Sequence, residues 1–348
     1  MNSTSGERDR LQALLAALAD PPRAAALRSD DPTLVAVARH HRLTPLLSVT
    51  CGGSLPAPLA EAFRRDRIVT AARNMILGQV AEECLRALAA AGVPTIVLKG
   101  LDYETRLYGV PGARPTSDVD LLVRDEQRRA AFAVLDRLGF EPRAAAPGFD
   151  EADYHEVAWT RAGVEVDLHM ALAPVVRCRI DYLAIWRDAE PFRVGEADAL
   201  VLARAHAAIF HALHMAIDHF GVPAIYLVDL ARLLPRSAEF DRAQNLALAW
   251  RCERPLLTAR ALVRRFLPGH LSDSPGEASS WRTRRIVESY GPTTALSRPE
   301  QLRRKLDHFD TASDTLRYLV VQSRRNLRER VERWVRRRSA RERLRLEG

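Results

Sequence analysis

The stretch 97-VLKGLDYETRLYGVPGARPTSDVDLLV-123 holds the end of one strand, a turn-rich loop and the whole of a second strand. Its first residues complete 95-TIVLK-99, which is β-branched and apolar and is bounded by Pro94 and Gly100, the pattern of a buried strand. A short helix is expected from Asp102 to Tyr108, and 109-GVPGARP-115 reads as loop. In 118-DVDLLV-123 the alternation of a strand sends Asp118 and Asp120 to one face and Val119 and Leu121 to the other. Two like charges side by side repel in a dry, metal-free space. A hard divalent cation, which takes oxygen ligands, would make the pair favourable. A solvated edge strand can also read Asp-x-Asp, so the pair alone leaves both readings open.

Working outward, 126-EQRRAAFAVLDRLG-139 is an amphipathic helix stopped by Gly139. The runs 154-YHEVAWT-160 and 164-VEVDLHM-170, separated by Arg161-Ala162-Gly163, form a hairpin pattern. Its second strand places Asp167 on one face with Glu165 and His169, so a third carboxylate can join Asp118 and Asp120 from a neighbouring strand. On the other side, Lys99-Gly100 closes the first strand where backbone amides turn outward, and glycine there lets a phosphate approach the main chain. Lys99 is one of two lysines, with Lys305, among 52 basic residues, and its compact ammonium suits a phosphate oxygen. An ordinary strand-end charge is the plainer reading. Arg114, Thr116 and Ser117 lead directly into Asp118 and would bring a guanidinium and two hydroxyls beside bound phosphates, or are plain turn residues.

Taken together, the run 97–123, then 166-VDLH-169 and a histidine-rich helical region resemble the uncharacterised nucleotidyltransferase family of the DNA polymerase β-like superfamily. The resemblance spans about Gly92 to Leu234. It implies an α+β fold: a polymerase β-like core of a small mixed sheet with flanking helices, set between an N-terminal helical section and a C-terminal helical domain. It also implies metal-binding aspartates at Asp118, Asp120 and Asp167, with Mg²⁺ or Mn²⁺ as cofactor and a nucleoside triphosphate, ATP among the possibilities, as substrate. Lys99, Gly100, Arg114 and Ser117 are the expected nucleotide-binding residues. The superfamily's usual Gly-Ser pair is here Lys99-Gly100, and the gap to Asp118 is longer than the superfamily norm, a variation typical of this family.

The remaining sequence sets the frame. Helical periodicity over Arg8–Leu27 and Pro58–Ala91 marks the N-terminal section, and short loops separate helical patterns from Asp198 onward, giving expected units of 1–91, 92–195 and 196–348. The segment 268-PGHLSDSPGEASS-280 reads as an exposed linker. Four widely spaced cysteines, Cys51, Cys84, Cys178 and Cys252, show no metal or disulfide spacing. No apolar run is long enough to span a bilayer, and MNSTSGERDR lacks signal-peptide order, so a cytoplasmic protein is expected.

Within 198-DALVLARAHAAIFHALHMAIDHF-220, His211, His214 and Asp218 share a helical face, while His206 and His219 point elsewhere. His211 and His214, with His169 and Asp229, are candidates for the cleft or acceptor site. Helix-packing histidines are the plainer alternative to a cleft role for His211 and His214. The net charge of +8 is concentrated in 324-RRNLRERVERWVRRRSARERLRLEG-348. Leu319, Val320, Leu327, Val331, Trp334 and Val335 recur there at helical spacing, and a solvated helix packed by that stripe is favoured over an RNA or membrane surface. The expected activity is transfer of a nucleoside monophosphate to an unidentified acceptor, with a small molecule, peptide or protein favoured. The alternatives are an RNA- or tRNA-modifying transferase and a catalytically silent nucleotide-binding or protein-interaction module.

Overall fold

In the computed structural model, residues 3–143, 155–174, 178–235, 237–269, 280–291, 297–321, 323–324, 327 and 330–331 are described. Four helices come first: α1 (Ser3–Ala19), α2 (Pro32–His40), α3 (Thr44–Cys51) and α4 (Ala57–Ala90). The 34 residues of α4 make a rod of about 50 Å. Its first half packs Leu59 and Phe63 with α1–α3, and its second half packs Leu77, Ala81, Cys84, Leu85 and Leu88 beneath the sheet.

Strand β1 (Ile96–Val97) is followed by α5 (Lys99–Tyr103), which runs into a π-helical turn over Glu104–Tyr108. The helix thus begins three residues before its expected start. Next come β2 (Val119–Leu122), α6 (Arg128–Arg137), β3 (Glu141–Pro142), β4 (Glu156–Arg161), β5 (Val164–His169), α7 (Tyr182–Arg187), β6 (Glu190–Val194) and β7 (Ala197–Val201). The chain continues as α8 (Arg204–Ile217), α9 (Ile225–Leu233), α10 (Ser237–Ala249), α11 (Glu253–Phe266), α12 (Trp281–Ser289) and α13 (Arg298–Asp307).

The seven strands form one mixed sheet in the order β3-β4-β5-β2-β1-β7-β6. The α+β class expected from the sequence is the class found, but the sheet is wider than a small core. Residues 197–201, read as the start of a helical region, instead form β7, which pairs parallel to β1 with Ile96 opposite Leu200. At the other side β2 runs parallel to β5 and antiparallel to β1. The β4–β5 hairpin turns on Ala162 (φ 49°) and Gly163 (φ 80°). Two consecutive positive φ values give the right-handed twist that a two-residue hairpin loop requires.

One face of the sheet presents Val97, Val119, Leu121, Val166 and Leu168 to α4 and α6. The other presents Ile96 and Leu122 to the core shared with α8, α9 and α11. The period of two therefore gives the aspartates' face to the helices that follow the sheet.

The helix containing residues 312–321 docks through Asp314 and Tyr318, the latter 5.1 Å from the Phe309 ring, rather than through its leucine and valine stripe. Leu319, Val320, Leu327 and Val331 are exposed, which corrects the expected packing: the spacing i, i+4 of Asp314 and Tyr318 turns a different face inward. Trp334, Val335 and most of the linker 268–280 lie outside the described residues. The four cysteines are free thiols, and among the described residues no helix is long and apolar enough to cross a membrane.

Candidate active site

Parallel pairing of β2 with β5 makes Asp120 and Asp167 direct partners, and the alternation on each strand puts both on the helix-facing side. Asp118 stands one residue before β2. Ligand oxygens of Asp118, Glu165 and Asp167 lie within 4.8 Å of one another, and among the described residues this is the one group that converges closely enough for a cation. The Ser117 hydroxyl donates to Asp118 at 3.0 Å.

Asp120 sits deeper. Its Oδ1 receives the Lys99 ammonium at 3.1 Å and His169 Nε2 at 3.2 Å, and all three side chains are buried. Burial opposes ionisation of Asp120, but Lys99 and His169 outweigh it and hold the carboxylate well below its usual range. Lys99 is likewise opposed by burial and raised overall by Asp120 and Asp118. Asp167 forms no ion pair among the described residues, and burial, then Asp120, pushes its carboxyl up to about 7. Burial and Asp120 also raise Asp118.

A divalent cation fits these residues. The second oxygen of Asp120 is buried without a hydrogen-bond partner among the described residues, as is the Thr116 hydroxyl, and the neighbouring carboxyls carry raised proton affinities. Hard oxygen donors in this number suit Mg²⁺ or Mn²⁺.

Gly100 joins the cluster from α5. Its φ of 33° breaks the helical backbone, and a Cβ there would lie 2.9 Å from Thr116 Cγ2. Gly100→Ala should lower stability by about 1–3 kcal/mol, measured by chemical denaturation. A change below the error of that measurement would show that the bend relaxes freely.

The loop entering β2 is braced from below. Asn74, buried on α4, donates from Nδ2 to Glu104 Oε1 and to the Arg114 carbonyl, each at 2.8 Å, and its Oδ1 accepts from the Thr116 amide at 3.2 Å. Glu104 also accepts from the Gly112 amide at 2.6 Å. Neither residue was singled out from the sequence. A lone Asn among the apolar positions of a long helix was the available signal for the first. Glu156, also missed, lies opposite His169 across the β4–β5 hairpin, 3.2 Å from its Nδ1, and hairpin register could have found it.

Not all the expected site residues converge. Arg114 turns away from the aspartates into a buried pair with Asp229, Nη2 to Oδ2 at 2.9 Å, with Tyr108 donating to Asp229 at 2.6 Å and the Tyr103 ring 5.5 Å from the guanidinium. His211 lies in the packing between α8 and α9, its Nε2 donating to the Tyr226 carbonyl at 2.8 Å, and burial lowers it to about 4. His214 stacks on the Tyr226 ring at 5.6 Å and is lowered by burial and then by Lys99, which sets it beside the aspartate cluster. Lys99, Gly100, Ser117, Asp118, Asp120, Asp167 and His169 therefore form one group, while Arg114 and Asp229 form another behind it.

A family model described as an uncharacterised nucleotidyltransferase matches residues 28–268, more than half of the chain and all of this site. The chain belongs to that nucleotidyltransferase family. Among solved structures, this nucleotidyltransferase is similar to the antibiotic-resistance factor ANT(2'')-Ia, at 15% identity and a TM-score of 0.37, over 51% of this chain and 91% of that one. It is also similar to an antigenic nucleotidyltransferase-like protein from Paracoccidioides brasiliensis, at 14% identity and a TM-score of 0.33, over 58% of this chain and 94% of that one. No curated protein matches the chain in sequence.

Proposed function

We propose that this nucleotidyltransferase moves a nucleoside monophosphate from a nucleoside triphosphate to the hydroxyl or amine of an acceptor, using Mg²⁺ or Mn²⁺ held by Asp118, Asp120 and Asp167. The observation that carries the reading is the parallel register of Asp120 with Asp167, with Asp118 and Glu165 close by and one oxygen of Asp120 buried and unpartnered. When bound, the cation would offset the negative charge of the triphosphate and of the transition state.

The rest is the work of the chain itself. Lys99 keeps Asp120 ionised in a buried place, and His169 fixes the orientation of that carboxylate. Gly100 leaves the backbone open to a phosphate oxygen, and Ser117 offers a hydroxyl beside it. The acceptor atom bonds to the α-phosphorus, the bond from that phosphorus to the bridging oxygen breaks, and pyrophosphate leaves. Asp167, on the strand beside Asp120, is the carboxylate placed to take the proton that the acceptor gives up. A small molecule, peptide or protein is the favoured acceptor, and the expected setting is the cytoplasm. Calorimetry of the purified chain with each common nucleoside triphosphate and Mg²⁺ tests the reading. Saturable, cation-dependent binding is expected for at least one of them, and its absence for all would overturn it.

The raised Asp167 carboxyl gives a pH signature. The folded chain binds this proton more tightly than the unfolded chain does, so the group's contribution to stability is full below the ordinary carboxylate range and is lost as pH climbs through about 7. The Tm of the metal-free protein should therefore carry a downward component between about pH 4 and about pH 7, and Asp167→Asn should flatten it. Cation affinity should run the opposite way, rising across the same interval as the proton leaves. Parallel pH profiles of the variant and the wild type would refute the assignment.

A further inference from the structure

A cavity of about 550 Å³ opens where the chain leaves β2 and β5, within the size range of small-molecule sites. Arg124, two residues beyond β2, places its guanidinium 4.6 Å from the centre of the Trp186 ring, and Tyr182 lines the wall one turn earlier on α7. Arg179 and Arg317 reach the same space from two other segments, and His155 closes the side toward the sheet. Arg128 at the rim is paired with Asp125 at 2.7 Å. By contrast, no carboxylate among the described residues pairs with Arg124, Arg179 or Arg317. Asp125, paired with Arg128, and Glu126 share the lining, so the three further guanidiniums leave it net positive, and with the two aromatic rings they make a place for a flat apolar body and an anion together.

The cavity adjoins the candidate active site through a chain of contacts. His155 Nε2 lies 3.7 Å from Glu156 Oε2, the same oxygen lies 3.2 Å from His169 Nδ1, and His169 Nε2 lies 3.2 Å from Asp120. A molecule seated against Trp186 is thus separated from Asp120 by the His155, Glu156 and His169 side chains.

We propose that this cavity holds the acceptor, and that the acceptor is a small molecule bearing a flat apolar portion and a carboxylate or phosphate group besides the hydroxyl or amine that reacts. The inference rests on the nucleotidyltransferase reading above and narrows its substrate class. The ring lies along Trp186 and Tyr182, and the anion faces Arg124, Arg179 and Arg317. The reactive group then lies on an extension of the molecule that passes the His155, Glu156 and His169 side chains toward Asp167 and the α-phosphate.

Calorimetry with phenyl phosphate and with benzoate, on the full chain, tests it and tells phosphate from carboxylate. Saturable binding of at least one probe is expected, weakened tenfold or more in Arg124→Ala and in Trp186→Ala. Arg179→Ala, at an exposed position, should weaken it without disturbing the fold. The proposal is overturned if neither probe saturates, if the three variants bind as the wild type does, or if Mg²⁺–triphosphate displaces the probe competitively. Salt-sensitive RNA binding lost in the same variants, with no probe binding, would make the cavity part of a polynucleotide surface instead. Triphosphate binding by the unaltered chain is measured alongside. Its failure with probe binding intact counts against the transferase reading, whereas the reverse counts against the cavity.

Discussion

Asp118→Asn, Asp120→Asn and Asp167→Asn should each weaken cation-dependent triphosphate binding or turnover by about 100-fold or more, the scale of removing one strongly placed electrostatic group. Their effects on stability should diverge. Asp167 and Asp118 are held with raised proton affinity by burial and by Asp120, so neutralising either relieves repulsion and should raise the Tm of the metal-free protein by several degrees. Asp120 is the counter-ion of buried Lys99, and its loss leaves an uncompensated ammonium, a defect worth about 3–5 kcal/mol. Lys99→Met combined with Asp120→Asn should recover much of that stability and none of the binding. Equal triphosphate affinity in the wild type and all three single variants would place the nucleotide elsewhere.

Asp229→Leu should be among the most destabilising single substitutions in the chain. Its carboxylate is wholly buried and serves Arg114 and the Tyr108 hydroxyl at once. Removing it strands the buried guanidinium, at a cost of about 3–5 kcal/mol, and leaves the phenol without its acceptor. Arg114→Met should be nearly as harmful, whereas Arg114→Met with Asp229→Leu should regain most of the loss, because a matched apolar pair has no charge to desolvate. Denaturant midpoints of the four proteins decide the matter. Strictly additive losses would show that the two side chains do not act as a pair. The same series asks whether Arg114 also touches phosphate: triphosphate affinity in the folded double variant should remain if its role is confined to the pair.

The sheet that bears the aspartates was legible because strand alternation is a local rule. Val119 and Leu121 alternating with Asp118 and Asp120, and Val166 and Leu168 around Asp167, already divide core from cleft without knowledge of the partner strand. Strand β7 was not legible. Ala197–Val201 leads into a helical run with no break in composition, and its pairing with β1, about 100 residues earlier, outweighs the local pattern. Long-range charge pairing was hidden for the same reason. The spacing of Arg114 and Ser117 before Asp118 suggests a phosphate site, but the partner that claims Arg114 is Asp229, 115 residues later. Lys99 was visible as an oddity of composition, although nothing local reveals that its nearest charge is Asp120. The tail shows the converse error: a correctly read helical period does not say which side of the helix the rest of the chain will meet.

The buried Lys99–Asp120 contact bears on when the protein would take up the proposed cation. Many metal-binding folds are unfolded until the ion arrives, since their ligands repel one another or have nothing else to bind. Here the Lys99 ammonium already lies against the deepest carboxylate, and the raised proton affinity of Asp167 favours a neutral neighbour. On the proposed metal role, assembly would then be uncoupled from metal supply: the chain would fold without the ion and load it together with the triphosphate.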